Sequence, residues 1–452
     1  MIKITIPNNN FQERKYILDI IFNEFLGLEY QILKDDKSKH WEIELKNSKK
    51  LVFKDYFFNK FPKDLEYLIF ENIPLNIKFG KNEFVPEENI PILYGNDKLE
   101  KFDDIIICSI DVFASSFFML TRWEEYVNKN RDNHHRFPST ESLAYKNDFL
   151  SRPIVNEYIE MLKNMMLYLD SNLKFKTRNF QLILTHDVDF IYKWNTPRKF
   201  LRHLAGDIIR RKSPIEFIKS IISYISLKLN LKKDPFDTFE YLMDLSEKIN
   251  IKSYFFFMAE GLTKYDNNYK SNSIYVKKLV NKIKKRGHNI GIHPTYNAYN
   301  DKKQFEKEKN ELASNLETKV SFGRNHFLRF EVPGTWQVWE DNNMEWDSTL
   351  SYADKEGFRC GCCYEFSVFN ILTRKKLKLK EKPLIMMESS LLYQNNINYK
   401  SAKNNILNLI EIIKRYDGNF VLLWHNSSFN VYEWKKFSNL YSYIISLINT
   451  ER

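Results

Sequence analysis

Short apolar runs punctuate the second half of the chain, and they share an ending: each closes on ionisable side chains instead of ordinary turn formers. The run Gln181-Leu182-Ile183-Leu184 leads into Thr185-His186-Asp187-Val188-Asp189, and Asn289-Ile290-Gly291-Ile292 leads into His293. Further examples are Arg324-Asn325-His326-Phe327-Leu328-Arg329, Met386-Met387-Glu388 and Leu422-Leu423-Trp424-His425. On a strand, residues two apart share a face, so Asp187 and Asp189 point together while His186 and Val188 point away. By the same alternation, His293 and Asn289 face opposite to Ile292 and His288. A lone Asp-x-Asp after a strand is usually a turn former or a helix cap. Recurrence of the pattern over some two hundred residues instead predicts a barrel-like α/β domain with its site at the carboxyl ends of the strands.

The first 175 residues carry a different pattern, that of a smaller α+β domain. Strands are expected at 2–6, 28–33, 41–46 and 104–109, and helices at 11–25 and 111–127. In the latter helix, Asp111 to Tyr126, apolar residues cover most of the circumference, which predicts burial between domains. Residues 128–150 read as irregular, and His134-His135 reads as part of a surface loop, because adjacent residues point apart on any regular element. A helix from Pro153 to about Asp170 then leads into residues 176–452.

At 452 residues the chain is long for one core, so two domains are the default. No stretch approaches the ~20 apolar residues of a membrane span. The amino terminus lacks the apolar block of a secretory signal and reads as a strand, so the expected location is the cytoplasm. Four cysteines, at 108, 360, 362 and 363, match neither a redox pair nor a zinc ribbon and read as reduced, buried thiols.

The net charge of +11 is unevenly spread. Between Arg198 and Lys233 ten Lys or Arg stand against two acids, Asp207 and Glu216, among fifteen Leu, Ile, Phe and Tyr residues. A basic amphipathic insertion at about 197–233 is therefore expected. It either lies on an anionic membrane, peripheral to its inner face, or packs on the domain with solvated lysines. No recognised nucleic-acid motif accompanies the charge.

From about residue 180 to 447 the strand-end motifs resemble the polysaccharide deacetylase superfamily, the metal-dependent deacetylases related to the rhizobial chitooligosaccharide deacetylase. Thr185-His186-Asp187-Val188-Asp189 resembles the first motif, which implies Asp187 as catalytic base and Asp189 as metal ligand. Gly287-His288-Asn289-Ile290-Gly291-Ile292-His293 resembles the second, which makes His293 a ligand. Four residues on, where that family usually has a second histidine, this chain has Asn297. An amide oxygen is a poor ligand for zinc, so either Asn297 or His326 must complete the set. The segment Arg324 to Pro333 resembles the family's Arg-x-Pro region, whose arginine orients the base. Arg329, nearer Pro333, is preferred to Arg324. Leu423-Trp424-His425 resembles the Leu-x-His motif, which implies His425 as general acid, with Glu388 as its assistant or as an ion-pair partner.

The resemblance implies a distorted (β/α) barrel of the polysaccharide deacetylase type behind the amino-terminal α+β domain. It also implies a divalent metal, with zinc foremost, and an acetylated saccharide as substrate. The subset with an extra amino-terminal domain occurs in bacterial surface-polysaccharide loci, so the expected reaction is N- or O-deacetylation of a precursor in that biosynthesis. The competing reading is a non-catalytic carbohydrate-binding protein with a degenerate metal site.

Overall fold

The computed structural model describes residues 1–266, 269–393, 397–437 and 439–450. The architecture is mixed α/β, and the chain divides into two compact units. The first comprises Met1–Gln181, Phe327–Met386 and Asn408–Phe420; the second comprises Leu182–His326, Met387–Leu407 and Val421–Arg452. The boundary expected at 175 lies near the end of the first segment, but two later stretches expected in the second domain belong to the first unit. The reason is packing. Val368, Phe369 and Leu379 are buried on the strands Phe366–Asn370 and Lys375–Glu381, which pack with the helices Phe11–Leu18 and Val112–Thr121.

In the first unit, six strands form one sheet. Ile2–Ile6 pairs in parallel with Tyr30–Lys34 and antiparallel with His40–Glu44. The hairpin His40–Glu44/Lys50–Lys54 then joins Ile105–Ile110 in parallel, and Gly95–Lys101 forms the edge. Every residue of the Val112–Thr121 helix is buried. It packs on the helices Phe11–Leu18 and Ile154–Leu169, so it is the core of this unit and not a spacer between domains. Asp111 caps it by accepting from the Ala114 N–H. The expected 11–25 helix continues past Leu18 as a wider π-helical turn, Asp19–Phe25. All four cysteines are buried and free in this unit, and burial raises the pKa of every thiol.

A buried ion cluster ties the first unit's segments together. Glu125 accepts from Arg122 Nε at 2.9 Å and from both Nε and Nη2 of Arg359 at 2.9 and 2.5 Å. Burial alone would raise the Glu125 pKa, but Arg359 and then Arg122 outweigh it and bring it down to about 2. Removing one partner leaves buried guanidinium charge uncompensated.

The second unit takes in all or part of the short, largely parallel strands running in the order Phe322–Gly323, Asn289–Ile292, Tyr254–Phe257, Gln181–Val188, Asn419–Leu423, Met386–Met387. The first four are joined by parallel ladders. Helices alternate with them. Ile274–Lys285 buries Val276, Leu279, Val280 and Ile283, an i, i+3, i+4, i+7 stripe that packs against the strand it precedes. Gly287, at φ +77°, ends that helix in the left-handed conformation and turns the chain into Asn289–Ile292. Among the described residues, no helix is long and apolar enough to cross a membrane.

Glu125→Gln should destabilise the first unit by about 3–5 kcal/mol in denaturant unfolding at neutral pH. Because the folded carboxyl sits below its ordinary 4.5, its contribution is complete above that value. It is lost as pH falls through about 2, so the gap between wild type and variant should narrow across that window.

Candidate active site and metal centre

Strand register brings the chemistry together. Val188 pairs with Phe257, Phe257 with Ile292 and Ile292 with Gly323. The next residues along three of these strands are Asp189, His293 and Arg324, which therefore stand on one rank at the carboxyl ends. The two glycines allow close approach: a Cβ on Gly323 would be driven into the Ile292 carbonyl, and one on Gly291 would lie 2.6 Å from the Phe322 carbonyl.

Three ligand atoms, from Asp189, His293 and His326, lie within 4.8 Å of one another. Asp189 Oδ1 is 3.2 Å from His293 Nε2 and 3.6 Å from His326 Nε2. Each imidazole is aimed from behind. His293 Nδ1 donates to the Arg324 carbonyl at 2.6 Å, and His326 Nδ1 lies 3.2 Å from the Asp266 carboxylate. With the proton on Nδ1, each Nε2 turns a lone pair toward Asp189, as metal-ligating histidines do. Asp189 Oδ1 is shut off from solvent, and among the described residues no donor is well aligned on it, with His293 Nε2 3.2 Å away. A buried carboxylate oxygen facing two imidazole lone pairs fits a divalent cation, and two nitrogens with one oxygen suit zinc.

Asp187 stands beside this cluster. Its Oδ1 is held by Arg324 Nη1 at 2.9 Å, and the same nitrogen donates to Thr185 Oγ1 at 3.0 Å. Its Oδ2 lies 3.8 Å from His293 Nε2, so one oxygen is occupied and the other faces the centre. On the far side of Asp189, His425 Nε2 is 3.5 Å from Oδ2. His425 Nδ1 pairs at 2.6 Å with the fully buried Glu388, which also accepts from the His425 N–H and from Ser428 Oγ.

Charge follows from this packing. Burial would raise the Asp189 pKa, but the imidazoles in their protonated form, His326 first, then His293 and His425, outweigh it and hold it well below the usual carboxylate range. Burial would lower the His425 pKa, but Glu388, with Asp189 and Asp187 behind it, pushes it up to about 10. Asp189 and His425 are the most open members, with side chains 17 % and 15 % exposed, so approach is from their side.

Asp187, Asp189, His293, His326, Glu388 and His425 therefore converge. The arginine on Asp187 is Arg324, not the preferred Arg329. Arg329 lies in the first unit, where its Nε donates to the His134 carbonyl; Arg324 directly follows a sheet strand, and that register, rather than nearness to Pro333, fixes which arginine reaches Asp187. Of the two candidates for third ligand, His326 joins the cluster. Asn297 has an exposed side chain at the start of the Ala298–Asn300 turn. His186 and His288 point away, as alternation requires: His186 Nδ1 pairs with the Trp424 carbonyl, and His288 Nδ1 accepts from the Ser253 N–H. Sequence reasoning missed Asp266. It lies in a loop, and its carboxylate also accepts from the N–H groups of Leu262, Thr263 and Tyr296. Its only signal is the Thr263-Lys264-Tyr265-Asp266 turn chemistry.

Comparison with known proteins places the chain only coarsely. Residues 2–170 match a family of unknown function, DUF7033. No curated protein matches. Among solved structures, the chain is similar to a polysaccharide deacetylase from Mycobacterium smegmatis at 12 % identity and a TM-score of 0.39, covering 61 % of this chain and 85 % of that one. It is also similar to the catalytic domain of a peptidoglycan N-acetylglucosamine deacetylase from Eubacterium rectale at 12 % identity and a TM-score of 0.27, covering 59 % and 86 %. Likeness at this level leaves function to be argued from the site.

Zinc affinity, measured by competition with a chromophoric chelator, should separate these roles. Asp266→Asn should weaken binding about 10–100-fold by releasing His326 from its aim. His326→Ala should weaken it further, and Asn297→Ala should leave it unchanged.

Proposed function

We propose that this chain is a metal-dependent hydrolase that removes an acetyl group from an acetylated saccharide. The observation that carries the reaction class is the flanking of one three-ligand cluster by a tethered carboxylate on one side and a carboxylate-backed imidazole on the other. The saccharide and the acetyl group rest on the motif resemblance. So does reading the strand run as one wall of a distorted (β/α) barrel.

Asp189, His293 and His326 would hold the cation, zinc by the chemistry of the donor set. Bound there, it supplies Lewis acidity toward the acyl carbonyl and makes water a stronger acid. The remaining chemistry belongs to the side chains. Arg324 occupies Asp187 Oδ1, which leaves Oδ2 to take a proton from the attacking water as a general base. Glu388 fixes the His425 ring through Nδ1, so the Nε2 proton faces the centre. A histidine with its pKa pushed up to about 10 carries that proton at neutral pH, as a general acid toward the departing group must. A nitrogen leaving group requires this proton more than an oxygen one, so the arrangement favours an N-acetylated substrate. A precursor of a surface polysaccharide fits that chemistry.

The test is acetate release from N-acetylated oligosaccharides by the zinc-loaded chain. Asp187→Asn should lower the rate about 10²–10⁴-fold while zinc affinity is retained. Glu388→Gln should slow turnover and shift the alkaline limb of the rate profile to lower pH, because His425 loses its main charge partner. Acetate release as fast without the Asp187 carboxylate would sink the base assignment.

A further inference from the structure

The insertion after Asp189 folds as two helices, Pro197–Ile209 and Pro214–Lys228, and its architecture is locally encoded. Thr196 and Ser213 cap the helices by accepting from the Lys199 and Glu216 N–H groups, each with proline at the first helical position. The inner faces meet. Trp194, Phe200 and Leu204 are buried against Phe217, Ile221 and Tyr224, and the rings of Phe200 and Tyr224 stack with centroids 3.8 Å apart.

Among the described residues, the outer face has no such partner. Ile215, Ile218, Ile222, Ile225 and Leu229 are each 51–65 % exposed. At 3.6 residues per turn these five side chains fall within an arc of about 80°, turned away from the face that carries Phe217, Ile221 and Tyr224. Leu201 and Ile208 continue the exposed apolar surface on the first helix. A solvated helix face is normally polar, and a contiguous aliphatic stripe of this kind marks an interaction surface.

The charge around the stripe identifies the partner. Nine of the ten Lys and Arg between Arg198 and Lys233 are exposed. The two acids do not offset them at the surface: Asp207 is buried on Arg211 and Ser220, and Glu216 is paired with Lys219. Two copies meeting through this stripe would bring like charges together. An anionic lipid surface instead accepts aliphatic side chains below its headgroups and basic side chains among them.

Both ends of the hairpin are fastened to the segment that follows His425, through Arg211 in the turn between the helices and through Lys193 ahead of the first helix. Arg211 Nη2 pairs with Glu433 at 2.9 Å, and Lys193 Nζ donates to the Asn430 carbonyl at 3.3 Å. The hairpin is thus anchored in the second unit beside the carboxyl-end residues. We infer that its outer face is an interfacial anchor that docks the second unit on an anionic bilayer. This stands independently of the hydrolase reading.

Vesicle co-sedimentation of the full chain tests it, with phosphatidylcholine vesicles containing or lacking phosphatidylglycerol. Binding is expected to the anionic vesicles only, falling as salt screens the charge. Ile218→Asp with Ile222→Asp changes exposed positions only; it should cut binding at least about tenfold while leaving the thermal melting curve and zinc affinity unchanged. Lys219→Glu with Lys228→Glu should remove the preference for anionic lipid. Negligible binding by wild type, or binding that survives both variants, overturns the inference. A wild-type dimer in sedimentation velocity that Ile218→Asp with Ile222→Asp dissociates would also overturn it, since the stripe would then be a subunit contact.

Discussion

A buried carboxylate is costly, and Asp189 is the position from which the second unit's arrangement is most easily understood. Its Oδ1 is shielded from solvent with no well-aligned donor among the described residues, while three imidazoles stand within 3.6 Å of its two oxygens. Such a group is tolerable only beside positive charge. Two of those imidazoles, His293 and His326, are each aimed at it from behind by an acceptor, the Arg324 carbonyl and the Asp266 carboxylate. Their remaining nitrogens converge on the same oxygen, which makes one cation the natural way to satisfy all three.

The parallel ladder makes this convergence possible. Because Val188, Phe257, Ile292 and Gly323 lie in register, residues far apart in the chain become neighbours by following their strands by a single step. Glycine at 291 and 323 lets neighbouring backbones approach where any Cβ would collide. The site is therefore a property of strand ends, and its precision is inherited from backbone hydrogen bonds. His425 and Glu388 reach it by the same logic from Asn419–Leu423 and Met386–Met387.

Much of this was legible in the chain because period-two alternation is a strong local signal. It separated Asp187 and Asp189 from His186, and His293 from His288, with no tertiary information. Where the arrangement depends on register or loop geometry, local pattern could not decide. Arg324 and Arg329 both flank an apolar stretch, but only the ladder reveals that Arg324 directly follows a paired strand. Asp266 carries no strand-end signature, since its role comes from a loop folded onto His326. Asn297 drew attention through its spacing from His293, yet the chain turns after Tyr296 and leaves its side chain exposed. The division into units was hidden for a related reason: residues 327–386 and 408–420 join the first unit through burial of Val368, Phe369 and Leu379, a long-range effect that composition does not report.

The central claim is that Asp189, His293 and His326 form one metal centre. Zinc K-edge X-ray absorption on the full chain loaded with a single equivalent of zinc tests it most directly. The account predicts first neighbours that are nitrogen and oxygen only, at about 2.0–2.2 Å, with the outer-shell scattering of two imidazoles. Zinc–sulfur scattering at about 2.3 Å would place the metal on the cysteines instead, and that result, or a failure to retain zinc at all, would contradict the account.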